Sequence, residues 1–233
     1  AYLFLVVGKF PDSDPRAVQL ARRPRHPVRV LDTDEPRRSR TTVGFRYVLA
    51  TPHFFWLTLW AALVLVLALP AWLSALVLGR LPRPLHRFFA AFARYTVHFT
   101  AFLSLAAGPF PGFLGRPGAC SVDLDIDEPQ RQSRWTIAFR WLLVIPAVLI
   151  QAGLSSAMTT AAVGAWFSAM ATGRMPRGIQ RLNSYCLRYI GQMTAYALLV
   201  TPAYPHSGPS EEERPAGDLF LVEPERPLRV EAA

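Results

Sequence analysis

Three aspartates alternate with aliphatic residues in SVDLDIDEP, residues 121–129: Asp123, Asp125 and Asp127 stand between Val122, Leu124 and Ile126. Asp-x-Asp-x-Asp is how a calcium loop begins. The turn glycine and the bidentate glutamate that such a loop needs at its sixth and twelfth positions are both missing, so no metal site is expected. Period-two alternation describes a half-buried strand with one apolar and one carboxylate face. The stretch LDTDEP repeats the pattern with Asp32, Asp34 and Glu35. Arginines lie close by in sequence, at Arg37, Arg38 and Arg40 and again at Arg131 and Arg134. Mutual neutralisation at a membrane surface is the expected role of these carboxylates, and exposed pairs of that kind contribute only ~0–1 kcal/mol.

The second set of chemically able residues is cationic. Arg80, Arg83, Arg87 and Arg94 are reproduced as Arg174, Arg177, Arg181 and Arg188. Their spacing of three, four and seven keeps each series on one helical face, where guanidinium groups can hold lipid phosphate or another anion. Arg94 and Arg188 fall a turn or two inside an apolar segment, where an arginine is costly unless it reaches the headgroups or finds a partner. The histidines at 26, 53, 86, 98 and 206 make no ligand-spaced pair, and none has a counterpart in the other series. Cys120 and Cys186 have no metal or redox spacing. Neither a phosphate loop, a serine elbow nor a zinc signature occurs. No catalytic residue and no cofactor is expected.

These residues are positioned by a duplication. At an offset of 94 positions, Ser39-Arg40 aligns with Ser133-Arg134, Phe45-Arg46 with Phe139-Arg140, Pro52 with Pro146 and Trp72 with Trp166. GRLPR at 79–83 then aligns with GRMPR at 173–177, and Arg94-Tyr95 with Arg188-Tyr189. The correspondence runs without a gap and defines tandem units at 28–112 and 121–205, joined by a linker at 113–120. The first eleven residues, AYLFLVVGKFP, resemble AFLSLAAGPFP at 101–111. Residues 1–27 therefore read as the tail of a possible earlier unit plus a basic linker, or as an ordinary apolar segment. Residues 206–233 read as an acidic, proline-containing flexible tail.

The units resemble the bacterial membrane proteins grouped as domain of unknown function 4389. Residues 122–127, Ser133-Arg134-Trp135, Ile145-Pro146, 172–178 and Tyr204-Pro205 carry the likeness. The first unit departs more, with Leu78, Leu81 and Pro84 where the pattern has Thr, Tyr and Gly. The resemblance implies a bacterial membrane location and no particular activity.

Residue types alone give the same parts. No Asp or Glu occurs between Glu35 and Asp123 or between Glu128 and Glu211, and 47–79 and 141–173 carry no formal charge apart from His53. Runs of that length read as membrane spans. Each unit is expected to hold a strand, a short interfacial helix capped by Ser39 or Ser133, a proline kink at Pro52 or Pro146, and two transmembrane helices. The spans are placed near 53–78 and 88–108, and near 147–172 and 182–202. A re-entrant hairpin over 47–79 is the alternative to the first of these. Ala68, Trp72, Ala75 and Gly79, repeated as Ala162, Trp166, Ala169 and Gly173, form a small-residue face suited to close helix packing in lipid. Mainly α, integral membrane, with a small β cap on the cytoplasmic side, is the expected fold class. An even number of spans would make the two units parallel.

The net charge of +9 fits lipid phosphates at span ends better than nucleic acid, because no basic and aromatic residues interleave on a polar surface. For a multi-pass protein of the bacterial inner membrane, as the resemblance implies, the arginine count puts the termini and strands on the cytoplasmic side. The leading functional expectation is a noncatalytic accessory or scaffold protein. Its expected partners are anionic membrane lipid, a larger membrane complex or further copies of itself. The alternative is a small anion or lipid transporter or channel that uses the arginine stripes. A lipid-modifying enzyme is least expected.

Overall fold

The computed structural model describes residues 26–32, 40–107 and 110–206. Within them one order of elements occurs twice. Strand β1 (Val28–Asp32), helices α1 (Arg40–Gly44), α2 (Arg46–Leu78) and α3 (Arg83–Leu103) are followed by β2 (Val122–Ile126), α4 (Arg134–Ala138), α5 (Arg140–Thr172) and α6 (Arg177–Ala197). Ser39, Arg37 and Arg38, with the bulk of both terminal segments, lie outside the described residues.

The two strands form an antiparallel pair, with Val30 opposite Leu124, Val28 opposite Ile126 and Asp32 opposite Val122. Val30 and Leu124 are equivalent positions in the two units, as are Val28 with Val122 and Asp32 with Ile126. Pairing equivalents across a symmetric register puts a pseudo-two-fold axis through the Val30–Leu124 pair. The axis continues into the helices beneath. Val97 of α3 and Gly191 of α6 are also equivalent, and a Cβ on Gly191 would lie 2.6 Å from Leu124 Cδ1 and 3.2 Å from Val97 Cγ2. Only a residue without a side chain lets the sheet settle here.

Contacts place the helices in the spatial order α2, α3, α6, α5. Neighbours run in opposite directions. His53 of α2 meets Tyr95 and Phe99 of α3, whereas Trp60 meets Phe88 and Phe92. Asn183 of α6 donates to the Ser104 carbonyl (2.7 Å) beyond the end of α3, while Gly191 abuts Val97. The Tyr189 hydroxyl and Cys186 Sγ reach the carbonyls of Ala147 and Leu154 in α5. The axis therefore lies across the helices and the units are antiparallel to each other, not parallel. Sequence parity presupposed that each unit runs through the layer an even number of times in one sense; the symmetric strand register instead turns one unit end for end.

Elements are exchanged between units. Strand β1 packs on α6, β2 on α3, α1 on α5 and α4 on α2. Trp72 donates its indole N–H to the Ile137 carbonyl of α4 (2.9 Å), and Trp166 donates to the Val43 carbonyl of α1 (3.1 Å). Ala75, Ala162 and Ala169 are buried on the same faces, and Ala68 is half-buried. Gly79 and Gly173 end α2 and α5 in the left-handed region, at φ 68° and 69°, where glycine has no Cβ penalty.

The prolines do not mark the helix boundaries. The break falls at Phe45 and Phe139, between the five-residue helices α1 and α4 and the long ones, and Pro52, Pro70 and Pro146 sit inside continuous helix. The corner at 45 and 139 aims Arg46 and Arg140 inward, and α2 runs through Pro70 without the bend a re-entrant hairpin would require. Ser133 occupies an N-cap position but makes no capping hydrogen bond.

Helices α2 and α5, 33 residues each, are long and apolar enough to cross a membrane. Their large side chains point outward: Phe55 is 78% exposed, Leu65 76% and Trp141 69%. An apolar surface this extensive marks a membrane or protein contact. Several of their hydroxyls bond within the helix, as in Thr58 to the Phe54 carbonyl and Thr159 to the Ser155 carbonyl. In contrast, α3 from 88 and α6 from 182 carry no exposed residue to their ends. They form the core, with Phe89, Ala93 and Val97 meeting Leu187, Ile190 and Ala195.

The seat under the sheet is tested by a double-mutant cycle on unfolding in detergent. Gly191→Ala is expected to destabilise by about 1–3 kcal/mol through overpacking, and Leu124→Ala by about 2–5 kcal/mol through cavity formation. The double variant should lose clearly less than their sum, because the smaller side chain at 124 makes room for the new methyl. Strict additivity would show that the two residues do not touch.

Candidate functional site

Strand β2 lies on α3 because Val122 and Leu124 are buried against it. That seating carries Asp123 to the two polar residues one helical turn apart on this face of α3, Arg94 and His98. His98 Nε2 donates to Asp123 Oδ1 at 2.9 Å, and Arg94 Nε lies 3.4 Å from the same oxygen. Backbone N–H groups complete the carboxylate's partners: Leu124 donates to Oδ1 (2.7 Å) and Gly118 to Oδ2 (2.6 Å). Arg94 also donates from Nε to the Leu124 carbonyl (2.9 Å) and from Nη1 to the Gly115 carbonyl (3.4 Å). The His98 side chain is fully buried, and those of Arg94 and Asp123 are 12% and 14% exposed.

Burial of Asp123 favours the neutral acid and would by itself raise its pKa. Hydrogen bonds from Gly118, His98 and Leu124 outweigh that effect and hold the carboxyl below the ordinary aspartate range. A carboxylate that accepts four contacts fixes the imidazole as well. Nε2 carries the donated proton, and Nδ1, buried without a partner, is then the bare acceptor nitrogen of the neutral ring. Asp, His and Arg are thus locked to one another and to backbone, with no nucleophile among them. Among the described residues no three His, Cys, Asp or Glu side chains converge as a metal site.

The second unit fills the equivalent space differently. Arg29, Gln192 and Arg188 occupy the positions of Asp123, His98 and Arg94. Gln192 donates to the Val28 carbonyl (3.2 Å) and accepts from the His206 N–H (2.9 Å). Arg29 turns across the sheet to Asp125 at 2.7 Å and Asp127 at 3.9 Å. Among the described residues the carboxylates of the second acidic stretch therefore pair with Arg29 and Arg94; Arg134, which follows them in sequence, instead donates to the Val77 carbonyl (3.2 Å).

The arginine stripes divide. Arg80, Arg83, Arg87, Arg174, Arg177 and Arg181 are exposed, whereas Arg94 turns inward under the sheet and Arg188 is half-buried beside the Tyr185 ring, 5.2 Å away. Two further arginines were hidden from residue-pattern reasoning. Arg46 donates to the carbonyls of Phe102 and Ala107 (3.1 Å) and lies over the Phe102 ring at 4.4 Å. Its equivalent Arg140 donates to the Thr201 carbonyl (3.2 Å) and to Gln132 Oε1, over the Tyr196 ring at 3.9 Å. Each guanidinium is buried at the carbonyl end of a helix, where the macrodipole and unsatisfied C=O groups favour a cation. Their recurrence at matching places in both copies, each heading an otherwise uncharged run, was the available signal.

Fold and site define a duplicated, mainly helical protein with two membrane-length helices and a polar seam between its units. The chain belongs to the family described as Domain of unknown function (DUF4389), whose model matches residues 40–114 and 134–207. Both matches begin at the short helices α1 and α4 and leave the strands outside. No curated protein and no solved structure matches the chain.

Asp123→Asn is expected to destabilise the protein by roughly 1–3 kcal/mol, since it strips a largely buried charge partner from Arg94 and His98. Asp125→Asn, on the exposed pair with Arg29, should cost less than about 1 kcal/mol. The Asp123 contribution is complete above the ordinary aspartate pKa and is lost as pH falls through its lower folded value. Unfolding midpoints measured down the acid range should converge for wild type and Asp123→Asn; parallel curves would contradict this.

Proposed function

We propose that this is a noncatalytic protein of the bacterial cytoplasmic membrane, an accessory or scaffold component held by anionic lipid and open to association with a membrane complex. The observation that carries the reading is the combination of outward apolar side chains along α2 and α5 with exposed arginines at both helix turns, at Arg80, Arg83 and Arg87 and at Arg174, Arg177 and Arg181. Apolar surface next to exposed guanidinium groups is the arrangement that acyl chains and lipid phosphates complement together. The strands and the termini are assigned to the cytoplasmic side, in keeping with Arg29 on the sheet and Arg116 in the loop that meets Arg94 and Asp123.

Transport of an anion or lipid along the arginine stripes is the weaker reading. Arg94 is committed to Asp123 and to two carbonyls, so the first stripe does not continue as a line of available charge. Four crossings are weakened by the same observation, because α3 and α6 are packed against the sheet and each other along most of their length.

Native mass spectrometry of the protein extracted gently from its own membrane tests the proposal. Bound anionic phospholipid or a stoichiometric partner subunit is expected. Serine at all six exposed arginines should weaken binding to phosphatidylglycerol vesicles by at least about tenfold, since each basic side chain near an anionic surface contributes on the order of 1 kcal/mol. Undiminished binding by that variant, with no partner on the wild type, would overturn the reading.

A further inference from the structure

We propose that the protein lies flat in one leaflet, with its pseudo-two-fold axis along the membrane normal, its sheet toward water and α2 and α5 sunk among the acyl chains. The proposal rests on the membrane reading above and specifies the surface that meets the lipid.

The geometry leaves two symmetric ways to set this layer of helices in a bilayer. Standing upright, α3 and α6 would run along the normal, and the point where the axis meets them, at Val97 and Gly191, would fall at mid-depth. The sheet sits at that point. Its outer face carries Arg29, Asp125 and Asp127, whose side chains are 44%, 46% and 48% exposed. Upright helices would thus hold three exposed charges in the middle of the hydrocarbon, the most costly depth for them.

The arginines point the same way. Arg80, Arg83 and Arg87 lie at the start of α3 and Arg174, Arg177 and Arg181 at the start of α6, and these starts are at opposite ends of an antiparallel pair. An upright molecule would expose three arginines on each side of the membrane, against the asymmetry that cytoplasmic arginines normally show. In a flat molecule the same six groups reach one headgroup layer. Arg83, Arg87 and Arg94 are at helical spacing on the face of α3 that meets the sheet, and Arg177, Arg181 and Arg188 share the equivalent face of α6.

Length agrees. A 33-residue helix measures about 50 Å, and an upright one would overhang a ~30 Å hydrocarbon core by about 20 Å. Both ends of α2 are pinned to the helix layer, at Arg46 by the Phe102 and Ala107 carbonyls and at Gly79, which accepts from the Gln132 N–H (2.8 Å). It lies wherever α3 lies. In the plane of the leaflet its length is unconstrained, and its wide apolar face meets lipid throughout.

Labelling from one side decides the matter. Arg87→Cys and Arg181→Cys, each made singly with Cys120 and Cys186 replaced by alanine, put a thiol at equivalent exposed positions on opposite ends of the layer. An impermeant maleimide should label both in inverted membrane vesicles and neither in intact spheroplasts. Labelling of one variant in vesicles and of the other in spheroplasts would establish upright helices and overturn the proposal. Because the cysteine replacements are buried, polarised infrared spectroscopy of the wild type in oriented bilayers supplies an independent readout. Helix axes in the membrane plane are expected, and axes along the normal would refute the flat arrangement. Release of the wild type into the soluble fraction by salt alone would instead refute the membrane reading itself.

Discussion

Everything in this molecule depends on one register, Val30 opposite Leu124. Because these are equivalent residues, pairing them forces the two copies into antiparallel two-fold symmetry, and a shift by one residue would send Val122 and Leu124 to the solvent face. A two-stranded ribbon is too small to persist on its own. It is held because β1 lies on α6 and β2 on α3, and each short helix likewise covers the other unit's long one. Neither copy keeps its own strand, so neither is a self-sufficient domain. Duplication in one chain makes the exchange intramolecular, and the effective concentration of one half around the other no longer depends on expression.

Charge is handled by the same exchange. Carboxylates are absent from the long apolar blocks, so arginines there must find oxygen acceptors elsewhere. Arg46 and Arg140 take carbonyls at the ends of α3 and α6, where Leu105 and Leu199 share a left-handed φ of 62°. That conformation costs about 1–3 kcal/mol for a residue with a Cβ, and it turns the chain so that Ala107 and Thr201 present their carbonyls to the guanidinium groups. Arg94 takes its acceptor from a strand of the other unit. The polar seam is in this sense a structural consequence of folding basic, acid-free helices, and its residues are tied down before any ligand enters.

Much of this was legible beforehand. The duplication and the two strands follow from local pattern, and local pattern is what a repeat preserves; Gly79 and Gly173, read as part of a packing face, instead end α2 and α5. The alanine and tryptophan faces were also visible, but not their partners: Trp72 and Trp166 reach into the opposite unit, and spacing within a helix carries no information about which helix lies opposite. Direction was misjudged for the same reason. Both copies carry the same charges at the same places, and parallel and antiparallel copies share one sequence signature. Pro52 and Pro146 misled because a proline within an apolar helix is tolerated where neighbouring groups compensate, while the actual corners at Phe45 and Phe139 bear no turn residue. Arg46 and Arg140 looked like interfacial charges because nothing in a linear pattern reveals that a helix end will be brought against them.

The departures from symmetry bear most directly on what has been selected. Folding alone would be served by two identical halves, yet Asp123 and His98 have Arg29 and Gln192 as their equivalents in the other copy. Arg29 opposite Asp125 keeps the two halves from being interchangeable, since two copies of the second unit's strand would set Asp123 against Asp125 across the sheet and two of the first would leave Arg29 against Leu31. Like charges at such close quarters are destabilising. Each half thus offers the other an ion pair that it cannot form with a copy of itself. The mixed arrangement therefore favours the intramolecular pair over assembly of like halves from different chains, and leaves α2 and α5, not the strands, as the surface available for lipid or for a partner.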